Sequence, residues 1–530
     1  MNRILSRANK KVSFGNAATL LIGAALLGQL LGFFRNRLVS TNFTQINPGS
    51  TDAFFAAFQI PDFFFLTIAA GALGVAFVPV LSDCLQKGDK KGIWDLTSSL
   101  LNLLTIIMTA VAAAIFIFAG PLLHHVVAPK LSPEQLNNAT MIMRIIALNP
   151  LLFTLSGILT SVQQTFGRFF FFALAPLFYN LSIIASVYLF KHNLGIVGLG
   201  VGALIGGILQ LLIASLGLWG LEFKYRRHIS FKSTNFKLVM SKLPARSVDQ
   251  GIDSINSIVE TNRATHLGGG AVSYYNFATT LHNVPIVLFG TSIATAAFPR
   301  LTARLAQKRP DLFHKDFFQV LRLMIWIAMP VAVISYFARG YLARILYGSV
   351  APEVATIFEY LTVAIFFRIV YSMISRYFYA QKDTKTPLFV SLFAIALNVI
   401  LVFNLARPSA YGITGLALAQ SIVAVSEVVV LVTVMLIRDP YIFNREFWGA
   451  LGRIVSVTGF SVMAAFIMIS LLPLEIADRG VITLGVKFSM IAGTTMIVHI
   501  GMSALFGLEE AKVVMKKAYN IILKSIKIQY

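Results

Sequence analysis

The chain is poor in cysteine, in charge and above all in acid. One cysteine, Cys84, stands among 530 residues, which excludes structural disulfides and any cysteine-built zinc site. Charged residues make up 12%, against roughly 25% in an ordinary soluble domain. Acids number 22 against 44 Lys and Arg, a formal charge of +22. The eight histidines show no HExxH or other metal-ligand spacing, and no Walker A sequence is present. Zinc-dependent hydrolysis and ATP hydrolysis are therefore not expected, and the sequence reads as a non-enzyme. The basic surplus does not point to nucleic acid, because it falls in short clusters between apolar runs rather than along one face. What is abundant is apolar side chain, at 57%. The expected fold class is an all-α membrane protein.

About 20 consecutive apolar residues cross one hydrocarbon thickness. Fourteen such stretches lie near 17–38, 53–82, 97–123, 137–165, 170–190, 194–219, 240–265, 271–299, 317–342, 354–375, 387–406, 412–437, 447–473 and 482–507. The seventh carries five formal charges, and the positive-inside rule decides whether it spans. With the N-terminus inside, cytoplasmic segments hold 29 basic residues and outer loops hold 5. Removing the seventh span would invert every later loop and destroy that asymmetry. The sequence therefore predicts fourteen spans with both termini cytoplasmic. Residues 1–16 read as a retained cytoplasmic tail, and 508–530 as a basic amphipathic tail on the anionic lipids of the inner leaflet.

The two halves resemble each other at an offset of 217–224 residues. Phe54-Phe55, Pro61 and Ala76-Phe77 match Tyr274-Tyr275, Pro285 and Ala297-Phe298. Gln164, Asn180 and Gly195-Ile-Val-Gly198-Leu match Gln381, Asn398 and Gly412-Ile-Thr-Gly415-Leu. An even number of spans per half makes this a parallel repeat with its pseudo-twofold along the membrane normal, and such transporters hold cargo between their halves. The expected organisation is an N-lobe over 17–219, a basic linker over 220–239 and a C-lobe over 240–437. Two extra helices over 447–507 complete it.

Ionisable groups in hydrocarbon are costly, so they face protein or water. In the seventh span Arg246, Asp249, Asp253, Asn256, Glu260 and Arg263 fall within an arc of roughly 100° at helical spacing. Internal salt bridges would explain part of this stripe, but three acids outnumber two bases. Asp253 beside Asn256 and Glu260 is expected to take up a proton or bind a cation. Arg35 and Arg37 lie toward the outer side, against the loop rule, which suits an anionic ligand; snorkelling suits Arg37 better than Arg35. Arg144, Arg322, Arg368, Glu359 and Glu427 are also nominally intramembrane, and packing or snorkelling is the expectation for each.

Several runs are more specific. Leu31-Gly-Phe-Phe-Arg35, Thr51-Asp-Ala-Phe-Phe-Ala-Ala-Phe-Gln-Ile-Pro61, Ala76-Phe-Val-Pro-Val-Leu81 and Phe378-Tyr-Ala-Gln-Lys-Asp-Thr-Lys-Thr-Pro387 resemble the MurJ/MviN lipid II flippases. These belong to the multidrug/oligosaccharidyl-lipid/polysaccharide exporter superfamily. The resemblance covers essentially the whole chain. It implies two six-helix lobes around a cationic cavity and a groove by the last two helices for a polyprenyl tail. It implies a bacterial cytoplasmic-membrane location and cell-wall synthesis proteins as partners. The cargo would be undecaprenyl-pyrophosphoryl-MurNAc-pentapeptide-GlcNAc, moved from the inner to the outer leaflet for peptidoglycan synthesis. Arg35, Arg37, Asp52, Arg246 and Arg263 would then contact cargo. Asp253, Asn256 and Glu260 would couple Na⁺ or H⁺, with Asn398 as a further Na⁺ partner. No organic cofactor is implied.

The departures fall in the cavity. Where the family usually carries arginines, this chain has Gln29, Phe65 and the stretch Thr279-Thr280-Leu281, and Asn36 replaces the acid usually beside Arg35. Val402 stands in place of a second acid in the eleventh span. Three functions therefore stay open: a lipid II flippase, an exporter of another polyprenyl-linked glycan or a cationic amphiphile, and a non-transporting relative that binds cell-wall proteins.

Overall fold

The computed structural model describes residues 14–43, 50–70, 77–478 and 480–512. Among these residues regular structure is helical throughout, in eighteen α-helices and a few short π- and 3₁₀-segments. Most of the two predicted terminal tails, 1–13 and 513–530, lies outside the described residues.

Two compact units divide the chain, Met1–Ser273 and Tyr274–Tyr530. The first holds α1 (Phe14–Asn42), α2 (Thr51–Phe64), α3 (Val78–Gln86), α4 (Lys90–Leu122), α5 (Pro133–Ile146), α6 (Asn149–Thr165), α7 (Phe170–Leu194), α8 (Val197–Leu216) and α9 (Thr234–Thr265). It ends in the first turn of α10 (Ala271–Pro285). The second holds α11 (Ser292–Ala306), α12 (Pro310–Phe337), α13 (Arg339–Tyr347), α14 (Ala351–Ala380), α15 (Lys385–Leu405), α16 (Thr414–Arg438), α17 (Arg445–Leu471) and α18 (Val481–Leu505). Eleven helical segments are long and apolar enough to cross a membrane. Among the described residues, α1, α2, α3, the charged α9 and the short α13 stand outside that set. The seventh predicted span, α9, is one helix of 32 residues. It belongs to the first compact unit, whereas the sequence pattern groups it with the C-lobe.

The internal repeat has a structural counterpart in each unit. Pro61 lies inside the last turn of α2, which runs on as a π-helical segment over Phe65–Ala70; Pro285 ends α10, and a π-helical segment follows over Ile286–Thr291. A proline offers no N–H to the carbonyl one turn before it, and a wider turn is one way to absorb the loss. Gly195 and Gly412 precede α8 and α16 at φ +55° and +54°, a left-handed conformation that glycine adopts without strain. Three residues on, a Cβ at Gly198 would meet the Phe190 Cβ at 2.6 Å, and one at Gly415 would meet the Leu405 carbonyl oxygen at 2.3 Å. The repeat thus survives where the backbone admits one residue type.

Small residues set the packing of α8. A Cβ on Gly202 would fall 2.2 Å from Ser186 Oγ, and one on Gly206 would fall 2.9 Å from Tyr179. With Gly198 they form a four-residue spacing that lets α7 approach backbone to backbone.

The segment predicted as a basic linker is laced to α4. Asn102 Nδ2 donates to the carbonyls of Arg226 (2.8 Å) and His228 (3.1 Å), and Tyr225 Oη donates to Asn102 Oδ1 (2.5 Å). The Arg226 and Ser230 amides donate to Ser98 and Ser99, and Arg226 pairs with Asp95 at 2.5 Å.

In the second unit, α17 and α18 are pinned to α12 through a proline. Pro330 lies inside α12, so the carbonyl of Trp326, one turn earlier, loses its helical donor. His499 of α18, fully buried, donates from Nε2 to that carbonyl at 3.1 Å. Because a carbonyl only accepts, Nε2 carries a proton, and Nδ1 makes a second hydrogen bond with Ser461 Oγ of α17 at 2.8 Å. Trp326 Nε1 donates to Ser503 Oγ at 2.8 Å.

Candidate functional site

The site is built on α1 and α7. Arg35 Nε and Nη2 donate to Asn36 Oδ1 at 3.2 and 3.1 Å, and Nη1 donates to Asn180 Oδ1 at 3.1 Å. Two amide oxygens therefore orient the guanidinium fork without adding charge. Asp62 of α2 and Tyr179 of α7 lie within electrostatic reach of it. Asp62 is open to solvent yet densely surrounded by protein. It went unnoticed in the sequence, although an acid inside the second predicted span is the same signal that marks the seventh.

Arg35 lines a cavity of about 640 Å3 among α1, α6, α7 and α8, and is the only charged side chain among the described lining residues. Gln29, Ser156, Thr160, Asn180 and Gln210 supply polar groups. Phe65 and Phe153, in edge contact at 5.5 Å, and Phe172 supply an aromatic wall. Gln29 and Phe65 bring no charge to this lining, so among the described lining residues its cationic character rests on Arg35.

Asp52 is placed differently from Arg35. It is buried at the start of α2, and its oxygens accept from the Gly270 amide (2.7 Å), the Ser273 amide (2.8 Å) and Ser273 Oγ (2.5 Å). Thr51 Oγ1 and Ser273 Oγ are 2.7 Å apart. The carboxylate thus caps the N-terminus of α10 from another helix, with its charge against the positive end of the helix dipole. Phe54 packs on Phe55 and Phe58 behind it.

Along α9 the predicted stripe is partly in view. Asn256 Nδ2 donates to Glu260 Oε1 at 3.2 Å; Glu260 is buried, Asp253 exposed and Arg263 half-buried. Ser257 Oγ donates to Gln59 Oε1 of α2 at 2.9 Å. The side chains of Arg246 and Asp249 lie outside the described residues. Arg37 is half-buried one turn from Ser40, whose hydroxyl donates to its carbonyl at 2.9 Å. Asn398 is buried in α15 of the second unit. Among the described residues, no three His, Cys, Asp or Glu side chains converge as a metal-holding group.

The Lys-Asp-Thr-Lys-Thr-Pro run is a helix start. Asp383 accepts from the Lys385 and Thr386 amides (3.1 and 3.0 Å), from Thr386 Oγ1 (2.6 Å) and from Arg438 at 2.8 Å. Burial pushes the Asp383 carboxyl up, but the Thr386 and Arg438 hydrogen bonds outweigh it and hold the group at about 2. The run therefore ties the start of α15 to the end of α16.

The other charges read as nominally intramembrane find partners. Arg322 binds Glu510 at 2.8 Å, Arg339 binds Glu359 at 3.1 Å, and Arg144 donates to the Phe116 carbonyl at 3.2 Å.

This geometry is that of a multi-pass helical transporter with a cationic pocket in its first half. Among solved structures, the fold matches a lipid II flippase MurJ in an inward closed conformation, with TM-score 0.74 and 23% identity, covering 92% of this chain and 98% of that one. It also matches an inward-facing multidrug resistance MATE family transporter of the MOP superfamily, with TM-score 0.65 and 15% identity over 78% and 94%. The family described as lipid II flippase MurJ matches residues 49–476, and the chain belongs to that family. Its relatives include a lipid II flippase MurJ of Burkholderia cenocepacia, 26% identical over 403 residues (73% of this chain, 76% of the relative). A probable lipid II flippase MurJ of Borreliella burgdorferi is 24% identical over 410 residues (76% and 79%).

Proposed function

We propose that this chain is a flippase, without catalytic activity of its own, for lipid II in the bacterial inner membrane. It carries a polyprenyl diphosphate-linked disaccharide-peptide from the inner to the outer leaflet by alternating access, with both termini cytoplasmic and fourteen spans. The observation that carries the reading is Arg35, held by Asn36 and Asn180 in a cavity where it is the only charged side chain among the described lining residues. A guanidinium grips two phosphate oxygens at once, and in a partly desolvated cavity that contact exceeds a surface ion pair. The neutral amides fix the fork, and the Phe65–Phe153 wall offers apolar surface beside it. The family membership supports lipid II over other cargoes. Asp253, Asn256 and Glu260 remain the proposed Na⁺ or H⁺ coupling group, with Arg37, Asp52, Arg246 and Arg263 as further cargo or gate residues.

The test is complementation of a strain depleted of its own lipid II flippase. The wild-type chain should restore growth. Arg35→Lys, which keeps charge but loses the fork, should impair it, and Arg35→Ala should abolish it at normal protein levels. Full activity of Arg35→Ala removes Arg35 from the mechanism.

A further inference from the structure

Two opposite charges stand in the middle of two helices of the second unit. Arg368 in α14 and Glu427 in α16 each lie about three turns or more from either helix end. Arg368 Nη1 and Glu427 Oε2 are 2.6 Å apart, with the carboxylate 4% exposed and the guanidinium side chain 27% exposed. Of the packing or snorkelling expected from sequence, snorkelling does not describe a pair at this depth in the helices.

The surroundings are polar and titratable. His282 of α10 is buried, lies within electrostatic reach of Arg368 and has no hydrogen-bond partner at Nε2. Tyr371 of α14 lies under the guanidinium, 6.0 Å from ring centroid to Cζ, and within reach of Glu427 and Tyr379. From α15, Ser391 Oγ meets the Tyr371 hydroxyl at 3.4 Å. A buried ion pair is a weak source of stability, since desolvation offsets most of its attraction. An ionisable group inside a membrane helix is therefore first a functional candidate.

We propose that Arg368 is a second cargo-anion contact, held in reserve by Glu427, and that cargo binding in this unit is coupled to proton uptake by Glu427. This rests on the reading of the cargo as a diphosphate lipid. Arg368 is the more exposed partner, 27% against 4%, so it is the one a phosphate oxygen can compete for. The guanidinium keeps its proton throughout. When it turns to phosphate, Glu427 loses a cationic partner in a low-dielectric site, where the charged carboxylate is disfavoured. A proton from a buffer acid in solution then binds a Glu427 oxygen: one O–H bond forms, the bond to that proton in the acid breaks, and the conjugate base stays in solution.

Calorimetry on the purified full chain in detergent tests this with farnesyl diphosphate as the probe. Titrations run from about pH 7.5 to about pH 9, above the phosphate ionisation near ~6, in buffers of different ionisation heat. The wild type should take up close to one proton per ligand, with affinity falling by up to about tenfold per pH unit. Glu427→Gln should bind with no proton uptake and a pH-independent affinity. Arg368→Gln should weaken binding by about tenfold or more, the loss of one charge-assisted contact. Binding by the wild type without proton uptake overturns the proposal, and needs no variant to fold. Uptake unchanged in Glu427→Gln also overturns it, and would assign the proton to His282. Failure of the wild type to bind the probe at any pH rejects the diphosphate reading itself, and this proposal with it.

Discussion

Replacing His499 by Phe keeps the size and the apolar ring but deletes two hydrogen bonds. The Trp326 carbonyl, already deprived of its helical donor by Pro330, would then be buried with no partner, and Ser461 would lose its ring contact. Orphaning a buried carbonyl costs about 1–3 kcal/mol, whereas hydrogen bonds between membrane helices average ~0.6 kcal/mol and reach ~1.7. The expected loss is therefore about 1–2 kcal/mol. The structure also predicts how to recover it. Pro330→Ala returns an N–H to the carbonyl of Trp326, so the carbonyl no longer depends on His499. The double variant His499→Phe/Pro330→Ala should be less destabilised than the sum of the singles, by about 0.5–1 kcal/mol, within the range of contacting pairs. Denaturant unfolding in mixed micelles, followed by tryptophan fluorescence, gives all four stabilities. Additive singles would refute the reasoning, because the carbonyl would then have gained nothing from His499.

Three further outcomes are expected. Asp383 is held at about 2, below its ordinary value, so its stabilising contribution is full above about pH 4 and is lost as pH falls toward about 2; the stability gap between wild type and Asp383→Asn should close across that window, and a constant gap would exclude a role for its charge. Gly202→Val forces α7 away at the Ser186 contact and should cost about 1–3 kcal/mol as an overpacked interface, read as a lowered melting temperature, while Gly449→Ala, with open space at its Cβ, should leave it unchanged. Asp52→Asn keeps the shape but removes the charge that caps α10; hydrogen exchange at residues 268–273 should rise, and unchanged protection would show that the Ser273 and Gly270 contacts do not need the carboxylate.

The helices were legible wherever apolar length or a backbone demand wrote them. Gly195 and Gly412 announce the repeat because each occupies a left-handed conformation that few residues tolerate, and Pro61 and Pro285 because each removes a backbone donor from a helix. Loop charge predicts a seventh span where hydropathy gives no sign of one, and the structure has a helix of 32 residues there. The site was legible in Arg35, a cation against the loop rule, but not in Asp62, whose span is apolar enough to mask it. Partners were illegible throughout. Arg368 and Glu427, or Arg322 and Glu510, meet between helices far apart in the chain, and a pairing set by helix rotation and depth leaves no spacing to read. The cap that Asp52 places on α10 was illegible for the same reason: nothing near it in sequence shows that residues 270–273 come back to receive it.

The lacing of residues 225–230 onto α4 has a mechanical consequence. A Gly- or Ser-rich connection behaves as a rope, absorbing displacement by changing its own shape. Here five hydrogen bonds and an ion pair fix the segment along Asp95, Ser98, Ser99 and Asn102, four residues before α9 begins at Thr234. The segment is a strut. A push or twist applied to the start of α9 has little slack in which to dissipate and is delivered to the flank of α4. Any displacement of the charged helix would then be limited by the stiffness of its neighbour.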